Sequence, residues 1–143
     1  MNDEVKLPKW FWAVAILALI WNLIGVGAYL GEAFITDEAL SALPEEQRAL
    51  MESRPAWATA AFATAVWAGF VGSLLLVLRR GLAYIVLIIS FIGVVIQNIH
   101  SFLIADAMKV YGSAGLIAPV LVMLIGIALI LLAKKGNAAG WLR

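Results

Sequence analysis

The chain has 143 residues, 64% of them hydrophobic and only 13% charged, with a formal net charge of +1 and no cysteine. An ordinary globular domain carries roughly 25% charged residues, so this composition excludes a water-soluble fold. The missing cysteines exclude disulfides, thiol redox chemistry and cysteine–metal sites, and the scattered cations form no face for nucleic acid.

The first apolar run covers residues 10–33, and Glu32 at its end is the only full charge in any of the long runs. A helix needs about 20 mainly apolar residues to cross the hydrocarbon core, so the run is long enough. A cleaved signal peptide is the competing reading, with Lys6 and Lys9 ahead of the run. Its length and the Trp21-Asn22 pair favour a mature helix.

A long loop follows, residues 34–54. Within it residues 44–52 read as a short helix, because Pro44 suits a first turn and Glu45 and Glu46 favour a helix N-terminus. Leu40, Leu43, Leu50 and Met51 give this loop an apolar side. The plainer reading lays the helix on the membrane surface; the sharper one makes it a lid over an outward opening.

The second span, residues 56–78, repeats small residues every four positions: Ala61, Ala65, Gly69 and Ser73. Such a stripe lets helix backbones approach closely, within one bundle or between protomers. Thr64, Ala68 and Gly72 broaden it, and Trp67 reads as core filler. Arg79-Arg80-Gly81 is a minimal turn, so the third span, residues 82–104, runs antiparallel beside the second. Residues 105–114 connect to the fourth span, residues 115–133, with Ser113 as its expected N-cap. Pro119 is expected to leave an unpaired carbonyl and a mild kink. The expected fold is all-α: a single integral-membrane four-helix bundle over residues 1–143, with a short amphipathic helix in the first outer loop.

Charge sets the orientation. With both termini in the cytoplasm, Lys6, Lys9, Arg79, Arg80, Lys134, Lys135 and Arg143 lie inside, and only Arg48, Arg54 and Lys109 lie outside. Cationic flanks resist translocation, so this arrangement is favoured. Glu32, Asp37, Glu38, Glu45, Glu46, Glu52 and Asp106 fall outside, with Asp3 and Glu4 inside.

Polarity enters the membrane on two helices. The first span carries Asn22, Gly25, Tyr29 and Glu32 at spacings of three, four and three; the third carries Ser90, Gly93, Gln97 and His100 at the same spacings. Each set shares a helix face, with Asn98 to one side of the second. Because the two spans run in opposite directions, Tyr29 and Glu32 are expected at the depth of Gln97 and His100. Asn22, Tyr29, Glu32, Gln97, Asn98 and His100 are therefore the candidate ligand-binding residues. Hydrogen bonding between helices is the structural alternative, most apt for Asn22 and Ser90. A Glu32–His100 ion pair would serve either purpose.

No hydroxyl nucleophile has a well-placed base, since adjacent Ser101 and His100 diverge by about 100° on a helix. No glycine-rich phosphate loop is present. One His with one or two carboxylates falls short of a zinc set. No catalytic residue, metal or cofactor is expected, and an enzyme using Glu32, His100 and Asp106 ranks third among the readings. The first is an oligomeric, transporter-like or solute-binding membrane protein whose polar pocket opens outward to a small polar solute. The alternative is a non-catalytic accessory or assembly subunit of a larger membrane complex.

The segments Trp10-Phe11-Trp12-Ala13, Trp21-Asn22-Leu23-Ile24-Gly25, Pro55-Ala56-Trp57-Ala58 and Gln97-Asn98-Ile99-His100-Ser101-Phe102 resemble a group of small bacterial four-span proteins. These are commonly labelled sugar transporters or uncharacterised membrane proteins. The resemblance extends over almost the whole chain and implies a bacterial inner-membrane protein.

Overall fold

The computed structural model describes residues 6–143; Asp3 and Glu4, counted above on the cytoplasmic side, lie outside it. Among the described residues four helical segments are long and apolar enough to cross a membrane. They are α1 (Lys9–Ala33), α4 (Ala56–Val77), α5 (Ala83–Ile99) continued by a π turn (His100–Ile104), and α7 (Ile117–Ala138), entered through a 3-10 turn (Ser113–Leu116). In hydrocarbon every backbone N–H and C=O needs a partner inside its own segment, and a helix supplies it. Three short helices fill the loops: α2 (Asp37–Ala42), α3 (Glu45–Glu52) and α6 (Met108–Tyr111). The protein is an all-α four-helix bundle with the character of a multi-pass membrane protein.

The spans pack as a row. α4 lies against α5 most extensively, α1 packs on α4 and α7 on α5, while the backbones of α1 and α7 come close to each other at few points. Small residues explain the tight central pair. Ala61, Ala65, Gly69 and Ser73 are all buried, so the stripe is used inside the bundle. A Cβ on Gly93 of α5 would sit 2.8 Å from both the Ala61 carbonyl oxygen and the Ala65 nitrogen, so the two backbones meet where neither side has bulk. Ser90 Oγ donates to the Ala65 carbonyl at 2.6 Å. Asn22 Nδ2 donates to Ser73 Oγ at 2.8 Å and to the Ala18 carbonyl of its own helix at 2.9 Å. Asn22 and Ser90 thus tie α1 and α5 to the same strip of α4.

Four local expectations are corrected. Trp67 is 41% exposed on the outside of α4 and meets Tyr29 edge-on, ring centroids 6.2 Å apart; it is not core filler. Pro119 falls in the first turn of α7, where its missing N–H removes no helical bond, so there is no interior break. Ser113 opens the 3-10 turn rather than capping α7, and no side-chain cap bond is made there. The long loop contains an unforeseen helix, α2, whose N-cap Thr36 accepts from the Ala39 N–H at 3.1 Å.

The bundle has two unlike ends. The loop end carries α2, α3 and α6. The terminal end carries the α4–α5 turn and the segment after α7, and it is closed by side chains and backbone together. Phe11 is fully buried, and the Trp141 ring lies edge-on to both Trp10 and Phe11 with centroids 5.7 Å away in each case. The Lys135 ammonium sits over Trp10 at 5.4 Å and over Trp141 at 5.7 Å. The backbone of Arg143 exchanges bonds with the turn: its N–H donates to Arg79 O, and its carbonyl accepts from Gly81 N, both at 2.9 Å. Arg79 adopts φ 59° to make this pairing, and its Nε donates to Trp141 O at 3.0 Å.

Candidate functional site

Two cavities lie one above the other along α5, and they divide the sequence candidates between them. The first is at the loop end and measures about 310 Å³. Its floor is the loop-end turns of α1 and α5; over it lies the long loop, through Leu43 and the α3 residues Gln47, Leu50 and Met51. The apolar side of α3 is thus turned toward the cavity, with Leu50 and Met51 half-buried.

Glu32 in the last turn of α1 and Arg54 just before α4 flank the loop at its two ends. Since α1 and α4 pack together, these ends come side by side, and Arg54 Nη1 reaches Glu32 Oε2 at 3.0 Å. The same guanidinium lies over the Phe62 ring, 5.5 Å from its centroid. With side-chain exposures of 24% for Arg54 and 40% for Glu32, the ion pair contributes no more than about 1 kcal/mol. Its importance is positional: it holds the two ends of the loop together beside the cavity. The sequence offered a Glu32–His100 pair; both residues line this cavity, but the carboxylate's partner is Arg54.

His100 is 6% exposed and begins the π turn. Its ring stands edge-on to Trp57 with centroids 5.3 Å apart and planes at 89°. The Ala105 N–H donates to the His100 carbonyl at 2.8 Å, closing the wider ring of a π turn. π turns concentrate at functional sites, and here the turn carries both His100 and Ser101 to the cavity wall. The wall thus presents a carboxylate, a guanidinium, an imidazole and the Gln47 amide, opposed by aliphatic side chains. It can bind a polar molecule from several directions. His100 makes no side-chain hydrogen bond to Ser101 among the described residues.

The second cavity lies at mid-bundle and measures about 350 Å³. All four spans contribute to it, α1 through Trp21, Asn22, Ile24, Gly25 and Ala28 and α7 through its first half. Asn22, Gln97 and Asn98 line this cavity and not the first. Tyr29 lines neither: its ring packs edge-on against Phe62, centroids 5.3 Å apart, and against Trp67. The six candidates therefore form two groups of different chemistry, with Tyr29 between them as an aromatic contact from α1 to α4.

Arg54, Gln47, Trp57 and Tyr111 are the residues that sequence reasoning left out. Arg54 had a readable signal, since a cation one residue before the Pro55 N-cap must lie at the membrane level of Glu32. The others are set by how the loops fold back. No protein-family model, curated protein or solved structure matches the chain.

Proposed function

We propose that the protein is a small transporter-like, solute-binding protein of the bacterial inner membrane, with the loop end outward and both termini in the cytoplasm. The observation that carries this reading is the loop-end cavity under the long loop, where Glu32, Arg54 and His100 line a half-open space of about 310 Å³. Known ligand pockets start at roughly 300 Å³, which fits a small solute. Both signs of charge and an imidazole line the wall, so the matching solute is small, polar, and zwitterionic or rich in hydroxyls. The positive-inside charge pattern supports the orientation; the resemblance to small bacterial four-span proteins supports the membrane.

The small-residue stripe of α4 is consumed within one bundle, so any homo-oligomer uses other faces. Binding is therefore assigned to the single protomer. The test is a ligand search by native mass spectrometry on protein extracted gently from its own membrane, followed by titration of any solute found. His100→Ala is expected to weaken binding roughly 10-fold, as for one lost hydrogen bond of about 1–1.5 kcal/mol, while the bundle stays folded. A variant that binds as tightly as the parent, or a parent that carries no solute, removes the proposal.

A further inference from the structure

The mid-bundle cavity differs in kind from the loop-end one and has no part in the reading above. Among the described residues no charged side chain lines it; Trp21, Phe62, Phe91 and aliphatic groups make up most of its wall. Set into that apolar wall are the amides of Gln97 and Asn98, both half-buried. Neither side chain has a hydrogen-bond partner among the described residues. Asn22 spends its N–H groups on Ala18 and Ser73, and its carbonyl oxygen accepts from no donor among the described residues. Polar groups at membrane depth cost free energy until something satisfies them.

Access is sideways. α1 and α7 both wall the cavity, yet their backbones come close to each other at few points, so the gap between them faces hydrocarbon. Gly25 on the α1 wall has nothing within 4 Å of where a Cβ would stand. Asn22 lies close to the centre of α1 and so near the bilayer midplane, while Gln97 and Asn98 stand about two helical turns nearer the loop end on α5. A charged lipid head would lie there without a counter-charge; an uncharged one would not.

We infer that this cavity binds the head of a neutral bilayer lipid of the diacylglycerol type. The hydroxyl donates to an amide oxygen of Gln97, Asn98 or Asn22, and the ester carbonyls accept from the Gln97 and Asn98 N–H groups. The two tails leave through the gap between α1 and α7. Size is compatible, since about 350 Å³ holds a head but not whole acyl chains.

The test uses the whole protein in phosphatidylglycerol nanodiscs carrying a photoreactive diacylglycerol, with a photoreactive phosphatidic acid of the same tails in parallel. Diacylglycerol cross-links are expected in residues 21–28 and 118–129, at least fivefold above the phosphatidic acid. Gly25→Leu projects into the open space and is expected to cut labelling at least fivefold. Gln97→Leu with Asn98→Leu, which removes the amides and keeps the bulk, is expected to do the same. Equal labelling by the two lipids overturns the proposal, as does labelling within twofold of the parent in folded Gly25→Leu. If Gly25→Leu does not fold, the double leucine variant decides by the same twofold criterion.

Discussion

Glycines in this chain differ in what they face, and that difference predicts opposite outcomes for one chemical change. At Gly93 an added methyl would meet backbone atoms of α4 at 2.8 Å, and backbone in a packed helix pair cannot move aside locally. Gly93→Ala is therefore expected to destabilise the bundle by about 1–3 kcal/mol, the usual cost of overpacking. At Gly25 the methyl meets nothing within 4 Å, so Gly25→Ala keeps the helix-propensity gain, up to ~1 kcal/mol. Reversible unfolding in mixed micelles would measure both. Equal effects at the two positions would mean that the α4–α5 approach is looser than described.

At the scale of elements, the two ends of the long loop are held together by Glu32–Arg54, and Leu43, Leu50 and Met51 pack along its length. Removing the ion pair with Glu32→Gln is expected to change global stability by less than about 1 kcal/mol, because both side chains retain solvent. It is expected to speed tryptic cleavage at Arg48 several-fold, since the loop loses its tie. An unchanged cleavage rate would assign the loop's order to the apolar contacts alone. The four spans were legible in the sequence because a run of about 20 apolar residues specifies a helix without help from any neighbour. The pocket was less so. Asn22 and Glu32 share a face, but ten residues separate them, about 15 Å along the helix, enough to reach two different cavities. The π turn at His100 shifts one hydrogen bond and leaves no mark on composition. Helix α2 was missed although Thr36-Asp37-Glu38 has the cap and acidic first turn of a helix start; its six residues show too little apolar periodicity to register.

Across the whole molecule, the row of spans is closed at the terminal end by Trp141, which joins α1 to the end of α7 through Trp10, Phe11 and Lys135. Trp141→Ala is expected to cost about 3 kcal/mol, within the range for a large buried aromatic, and to loosen the first turns of α1. Hydrogen exchange of residues 9–15, compared with residues 61–73 in the central pair, would show it: exchange rises in the former and holds in the latter. A uniform rise would mean that the end cluster supports the entire bundle.

The scarcity of close backbone approach between α1 and α7 has a mechanical meaning. Two long rods that share a buried cluster toward the terminal end and diverge toward the loop end have the form of tweezers, with α4 and α5 as the handle. α7 alone is about 33 Å long at 1.5 Å per residue, so a tilt of about 3° at the base opens or closes its tip by about 1.7 Å. The cleft width is therefore expected to follow bilayer thickness, and a distance between spin labels on the loop ends of α1 and α7, measured in thin and thick bilayers, would show it.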